Sequence, residues 1–439
     1  MSAVAILHKA LRAKAGTIEY AGTKDKRAIT TQHCTVYRRK PSDFTRVNGY
    51  KLYPFIRVGD FELVSEPLKL GDNDANHFDI ILREVEASDD LIQSKLTAIR
   101  DYGFINYFGL QRFGKGGVHS HVIGKEMFHS NWHKALDMMF VPREGDKEPI
   151  VIGKQAYNNG NYKEALAVFP NYLHAERSVL ESLIRNPTDV LGAFNKIPKN
   201  TRLLCAHAYQ SYLWNLAASE RIKRYGLECV EGDLVIANDD GDETEFVIHK
   251  AAVENHKNVV HVTREDVEAR RYSINNVILP LVGTNIKLPM NSIGQVYQDN
   301  LQRDSLSLSF FKKCAPEYRM GGAYRRLVLR PKDFQWAVME YSNPNAELFE
   351  TEVNLFRPTP TSEDPPVEKQ WSKLLRALRV SFILTPGSYA TMLLREITRE
   401  STETEYHASL TAESLGEPAD EDEERLVGSK RPLEINESA

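Results

Sequence analysis

Residues 21–32 read AGTKDKRAITTQ and set one carboxylate, Asp25, among three cations, Lys24, Lys26 and Arg27, between a glycine and a run of β-branched residues. Gly22 permits close backbone approach of a ligand, and cations on both sides suit a phosphate chain. Neighbouring positive charge also favours a carboxylate that stays anionic when a ligand covers it. Such a carboxylate can attack or stabilise a sugar carbon that is becoming cationic, as in glycosidic bond cleavage. Taken alone, the same four residues read first as a turn whose charges are solvated and paired.

A second stretch, NYFGLQRFG at 106–114, supplies the complement. Asn106 can hydrogen-bond a base edge, Tyr107 or Phe108 can stack on a flipped base, and Arg112 can meet a phosphate. Both rings cannot easily face one cleft, so at least one of them is expected in the core. Continued to Gly117, the stretch imitates a phosphate-binding P-loop from Gly109 to Gly114 and Lys115, but Gly116 stands where the magnesium-holding Ser or Thr belongs. A nucleoside triphosphatase is disfavoured on that ground. Nor does TKDK match a guanine-reading motif, since Asp25 follows Lys24 directly. His119 and His121 lie two apart, which on a helix directs them to different sides. With no third ligand nearby, no metal is expected, and the pair reads as a phosphate-contacting or solvent-facing loop.

Around these stretches the order is mixed, then helical, then mixed. AVAILHKALRA at 3–13 has helical apolar spacing, and short strand-like segments follow through HCTVYRR and YPFIRVGDFELV. NHFDIILREV at 76–85 predicts a strand, and LIQSKLTAIRDYG at 91–103 a helix closed by Gly103. From about 118 to 225 the pattern is almost wholly helical, strongest in GNYKEALAVFP and in the long TRLLCAHAYQSYLWNLAASERIKRYG. Strand character returns in EGDLVIAND and NVVHVT around the acidic turn NDDGDETE. Two more strand candidates, AYRRLVLRP and RALRVSFILTP, flank the Pro-rich RPTPTSEDPP, and the helix GSYATMLLREITRE ends the folded part. This order predicts one domain interrupted by an insertion, not two successive domains.

The 439 residues are 42% hydrophobic and 26% charged, enough to bury two substantial cores. Apolar runs such as NVILPLVG at 276–283 fall far short of the roughly 20 residues that cross a bilayer, and no secretory leader is evident, so a soluble, unsecreted protein without a membrane partner is expected. Cys34, Cys205, Cys229 and Cys314 form neither a disulfide framework nor a zinc spacing. The formal net charge of −4 conceals an asymmetry: residues 401–439 carry −8, and residues 1–60 carry +8. The basic end either attracts polyanions or forms a solvated face. The acidic end, poor in aromatics, is expected to be disordered. SKRP at 429–432 reads as a nuclear-import signal or a plain charge cluster.

Assembled, these stretches resemble the TruD family of tRNA pseudouridine synthases, its eukaryotic branch in particular. AGTKDKRAITTQ is similar to the family's catalytic motif, NHFDIILREV to a strand that follows it, and NYFGLQRFGKGG to the second signature. HAYQSYLWN is similar to the third and TPGSYATMLLRE to the C-terminal one. The resemblance covers nearly all of the folded sequence and implies an α+β fold. In it a mixed-sheet pseudouridine synthase catalytic domain, 1–117 and 323–403, is interrupted by a largely helical insertion at 118–322 and followed by the acidic tail at 404–439.

It further implies isomerisation of uridine to pseudouridine in RNA, with tRNA the partner and mRNA open as another, in nucleus or cytoplasm, without cofactor or metal. Asp25 would be the catalytic aspartate, as nucleophile on ribose C1′ or as base. Lys24, Arg27, Asn106, Phe108, Arg112 and Tyr389 would bind substrate, Phe108 stacking on the target uracil and Tyr389 standing where family members place an aromatic, often Phe. One departure is expected to matter. The family carries a glutamate-bearing strand upstream of the first helix, and this chain begins at that helix, so an unpaired sheet edge is expected near the site. A catalytically silent RNA-binding protein of the same ancestry is the alternative.

Overall fold

LRALRVSFIL at 375–384 alternates small, apolar and charged residues with period two. Leu378, Val380, Phe382 and Leu384 on one face are buried, while Arg379, Ser381 and Ile383 on the other are half-buried. This is β11 (Leu375–Leu384), the middle of a three-stranded antiparallel sheet between β10 (Lys332–Tyr341) and β3 (Asn76–Leu82). The computed structural model describes residues 3–14, 16–25, 28–45, 47–48, 56–114, 117–143, 145–237, 258–343, 346–349, 351 and 374–401. Lys26, Arg27, Lys115, Gly116, the acidic turn at 238–245, the Pro-rich loop at 357–366 and the tail at 404–439 lie outside the described residues.

The buried face of this sheet packs on two helices. α2 (Asp89–Tyr102) contributes Ile92, Leu96 and Ile99, and the C-terminal helix α13 (Ala390–Thr398) contributes Met392 and Leu393. α2 starts at Ser88, whose side chain accepts a hydrogen bond from Leu91 N, carries Asp89 and Asp90 in its first turn, and ends at Gly103, as the sequence predicts. On the opposite face Arg379 pairs with Asp79 at 2.7 Å across the β3–β11 ladder.

Ahead of the sheet lie α1 (Ala3–Ala10) and the antiparallel pair β1 (Ile18–Tyr20) and β2 (Cys34–Val36), with a small core of Leu7, Leu11, Ile18, Phe44 and Val47. The strand expected at 53–64 does not form over its described part, 56–64. That segment finds no ladder partner among the described residues, and Phe61, Leu63 and Val64 stay exposed.

The helical stretch is α3 (Ser120–Phe128), α4 (Trp132–Met139), α5 (Glu148–Asn158), α6 (Tyr162–Val168), α7 (His174–Arg185), α8 (Val190–Phe194) and the 27-residue α9 (Lys199–Tyr225). α9 is the axis of the largest core, burying Cys205, Ala208, Tyr209, Leu213, Trp214 and Ala217. Helix α3 lies closely along it because Gly124 has no side chain: a Cβ there would stand 2.1 Å from Cys205 O. At its C-terminal end Arg221 is fully buried and makes a two-pronged bond with Asp233, at 2.9 and 2.6 Å. That pair ties the helix to a four-stranded antiparallel sheet ordered β6 (Val259–His261), β5 (Leu234–Ile236), β7 (Ile278–Leu281), β8 (Ala323–Arg326).

Two short strands, β4 (Phe104–Ile105) and β9 (Val328–Leu329), pair antiparallel and join the two cores. α10 (Arg264–Glu268), α11 (Ser292–Arg303) and α12 (Phe310–Lys313) complete the middle of the chain. β7 and β10 were not among the expected strands; β7 is buried along its whole length, so its sequence shows no alternation to betray it. No helix among the described residues is long and apolar enough to cross a membrane.

Candidate active site

The stretch 106–112 leaves β4 and crosses between the two cores, which brings its side chains against the helix α9, the strand β8 and the turn that opens α13. Phe108 is buried, 3% exposed. Its backbone is clamped from α9: Phe108 N donates to Asn215 Oδ1 at 2.9 Å and Asn215 Nδ2 donates back to Phe108 O at 3.0 Å. Two rings meet its edge, Trp214 at 5.7 Å between centroids and Tyr389 at 6.1 Å. Tyr107 also packs edge-on to Trp214, at 6.5 Å, and its hydroxyl bonds Ser219 Oγ, so of the two neighbouring aromatics Tyr107 belongs to the scaffold.

Gly109 explains how the second signature and the C-terminal one fit together. Its φ is −71°, open to any residue, but a Cβ would stand 2.8 Å from Tyr389 Cδ1 and 3.1 Å from Thr391 Oγ1. The glycine is there to admit the start of α13.

Two guanidinium groups lie over the Phe108 ring, Arg325 at 4.2 Å and Arg112 at 5.4 Å from its centroid. Arg325 is 1% exposed and, among the described residues, has no carboxylate partner. Three of its five donors are used: Nε to Asn106 O at 2.8 Å, Nη2 to Asn106 Oδ1 at 2.6 Å, and Nη1 to Gly387 O at 2.9 Å. Burial, with the Arg112 charge adding to it, pulls its pKa down to about 9, so the cation persists at neutral pH. A desolvated cation with spare N–H groups attracts an anion or a carbonyl oxygen.

Asn106 is buried with it. Its side-chain oxygen serves Arg325, and its amide nitrogen donates to Arg326 O at 3.3 Å. The amide expected to meet a base edge is therefore engaged with Arg325, which in turn donates to Gly387 O, and with the backbone at Arg326. Arg112 is half-buried, and its Nε is a buried atom without a hydrogen-bond partner, as is Thr391 Oγ1 beside Gly109. Buried polar atoms are nearly always satisfied by protein or water, so these two atoms can each take a polar partner beside Phe108 and Gly109.

Lys24 is half-buried and donates from Nζ to Asn76 Oδ1 at 2.6 Å. Asn76 opens β3 opposite Leu384, the last residue of β11, from which the chain runs through 385–388 to Tyr389. The loop carrying Lys24 and Asp25 is thus tied to the strand end that leads to Tyr389. Asp25 itself is exposed, and among the described residues no hydrogen bond, ion pair or ring contact joins it to Asn106, Phe108 or Tyr389. Arg27 lies outside the described residues.

The structure therefore brings Asn106, Phe108, Arg112 and Tyr389 together and anchors Lys24 to the same end of the sheet. Sequence reasoning missed Arg325, Trp214, Asn215 and Thr391, although Trp214 and Asn215 sit inside HAYQSYLWN and Thr391 inside TPGSYATMLLRE. The P-loop reading also fails in structure: β4 has two residues and pairs antiparallel, residues 110–112 form a 3-10 turn, and the next helix begins only at Ser120. Among the described residues no group of three or more His, Cys, Asp or Glu could hold a metal.

The description tRNA pseudouridine synthase D (TruD) belongs to a family model that matches residues 1–397. Pseudouridylate synthase 7 homolog of Mus musculus is 34% identical over 405 residues, 92% of this chain and 57% of that protein. Multisubstrate pseudouridine synthase 7 of Schizosaccharomyces pombe is 31% identical over 419 residues, 92% of this chain and 60% of that protein. The chain thus spans less than two thirds of the length of these relatives. A crystal structure from Methanosarcina mazei, assigned as tRNA pseudouridine synthase D (TruD), matches with a TM-score of 0.63 at 26% identity, covering 90% of this chain and 84% of that one.

Proposed function

This chain belongs to the tRNA pseudouridine synthase D (TruD) family, and we propose that it isomerises uridine to pseudouridine in RNA, tRNA first among its substrates. The observation that carries this reading is the tie from Lys24 to Asn76, which hangs the Asp25 loop on the strand end that feeds Tyr389 into the Phe108 pocket.

In the reaction the bond from ribose C1′ to uracil N1 breaks, the base turns, and C1′ joins C5, which gives up its proton while N1 gains one. Extruding the uridine from its stack costs a few kcal/mol, which contacts in a closed pocket can offset. Asp25, at the exposed end of its loop, either attacks C1′, leaving the N1–C1′ electron pair on the uracil, or removes a ribose proton. In both cases the released uracil must be kept from water and from leaving. Phe108 and Tyr389 supply apolar walls for it. Arg325, fixed by Asn106 and Gly387, offers its spare N–H groups to a uracil carbonyl or a phosphate. Arg112 lies over Phe108, and its unpaired Nε can donate to a backbone phosphate. The same reading assigns 1–117 and 323–403 to the catalytic domain and 118–322 to the inserted one.

The test is an assay of the purified chain on unmodified tRNA with base-specific detection of pseudouridine. Asp25→Ala and Asp25→Asn are expected to abolish product while RNA affinity falls only modestly. Unchanged turnover in either variant refutes the role of Asp25, and RNA binding without product by the unaltered chain refutes the isomerase reading in favour of a silent RNA-binding protein.

A further inference from the structure

His119 and His121 were expected to diverge, and the structure stacks them. His119 is the residue before α3 and has extended backbone angles, φ −68° and ψ 145°, so the helical spacing does not apply to it. The ring of His121 lies 4.3 Å from that of Tyr212 on α9, at 17° between planes, and the ring of His119 lies 5.7 Å from that of His121, also at 17°. Phe113 meets His121 edge-on at 5.4 Å. The three near-parallel rings form a column, closed at the α9 end by Tyr212 and open at the other, where His119 is exposed.

We propose that the outer face of His119 is a stacking site for one unpaired base of the bound RNA, near in the strand to the extruded uridine. This deepens the isomerase reading and rests on it. A residue in the His119 position ordinarily turns its side chain back to cap the first amides of the helix, and His119 makes no such bond, so its ring is not occupied in ending the helix. Among the described residues neither histidine belongs to a group of three or more His, Cys, Asp or Glu that could hold a metal. The column also sits next to the candidate site. Phe113 directly follows Arg112, which lies over Phe108, and Tyr212 is on the same helix as Trp214 and Asn215, which position Phe108.

Charge around the column suits a nucleotide. A Cβ on Gly117 would meet Arg143 Cγ at 3.0 Å, which places that side chain beside Gly117, two residues before His119, and Arg112 directly precedes Phe113. Burial holds the His121 pKa down to about 4, with His119 and Lys125 adding to the effect, so its ring at neutral pH is an uncharged π-surface and does not repel a second cation. Every base has a π-face, so such a platform fixes the strand without reading its sequence.

His119→Ala, His119→Phe and His119→Gln in the full chain separate stacking from other roles. Base–aromatic stacking is worth about 1–3 kcal/mol per base, or about 5- to 150-fold in binding. His119→Ala should therefore raise KM for RNA by a factor in that range and leave kcat within about twofold. His119→Phe should restore KM, and His119→Gln should not. RNA carrying 2-aminopurine at single positions beside the target should lose fluorescence on binding at one of those positions, and keep it with His119→Ala. An unchanged KM in His119→Ala, rescue by Gln as good as by Phe, or 2-aminopurine quenching indifferent to His119 overturns the stacking site while the isomerase reading stands. If the unaltered chain forms no pseudouridine, the isomerase reading falls, and the fluorescence arm still decides on the stacking site.

Discussion

Lys24 reaches Asn76 with a 2.6 Å hydrogen bond, and Asn76 stands opposite Leu384 in the β3–β11 ladder. A residue beside Asp25 is thereby fastened to the strand end from which Tyr389 enters the pocket. A hydrogen bond to a charged group is worth about 1.5–3 kcal/mol, and here it sets the position of a loop that has no other tie of its own from Lys24 or Asp25 among the described residues.

Asn76→Ala should therefore lower turnover more than stability. Misplacement by about 1 Å can cost on the order of 100-fold in rate, so a fall of at least tenfold in kcat is expected, with a melting temperature within a few degrees of the parent. Single-turnover kinetics beside thermal unfolding measures both. An Asn76→Ala chain with parental kcat would show that the tie does not position Asp25.

Arg325→Met leaves Asn106 O, Asn106 Oδ1 and Gly387 O without their donor. Each buried group left unpaired costs about 1–3 kcal/mol; the two Asn106 oxygens are buried and Gly387 is exposed, so destabilisation of a few kcal/mol is expected, together with loss of turnover. Arg325→Lys keeps the charge, but one ammonium cannot span three acceptors in the geometry of the planar fork. It should recover part of the stability and little of the activity, as measured by urea unfolding and by product formation. Full activity in Arg325→Lys would show that charge alone is what the site requires.

Much of the pocket was legible because Asn106, Phe108 and Arg112 lie within one stretch of seven residues whose types suit a nucleotide. Arg325 was not. In AYRRLVLRP it looks like an outward cation on a strand, and only the pairing of β8 with β7 shows that all four of its residues are buried. The amide of Asn106 was read as a base reader for the same reason: its partner is 219 positions away in sequence. Helical spacing misled at His119 because the residue before a helix does not share its angles. The helices α2, α9 and α13 were all legible from apolar period and end signals, which are local, whereas β10 and β7 depend on neighbours that the sequence does not display.

Gly109→Ala adds one methyl group where Gln111 Oε1, the end of a flexible side chain, would be 2.6 Å away and Tyr389 Cδ1 and Thr391 Oγ1 2.8 and 3.1 Å away. The backbone angles tolerate alanine, so the whole effect is steric. Overpacking of this kind costs about 1–3 kcal/mol, and here it also moves the Tyr389 wall. Expected are a modest loss of stability and a fall in kcat/KM that Tyr389→Ala on the same chain makes less severe. Additive losses in the double variant would show that the methyl group acts elsewhere.

His121 carries a pH dependence whose sign follows from its burial. In the folded chain its ring takes up a proton only near pH 4, whereas an unfolded histidine does so near about 6.5. Between those values the unfolded chain binds more protons, so this residue makes stability fall as pH drops from about 6.5 towards 4, by up to about 1.4 kcal/mol per pH unit. His119, Lys125 and Asp304 act on the ring, the first two opposing its charge and Asp304 favouring it, and burial outweighs them. His121→Phe retains a ring for the column and removes the proton site, so its urea-unfolding free energy should decline less steeply than the parent's between pH 6.5 and pH 4.5. Equal slopes in the two chains would mean that His121 charges freely in the folded state, and that the column opens to water at its middle ring.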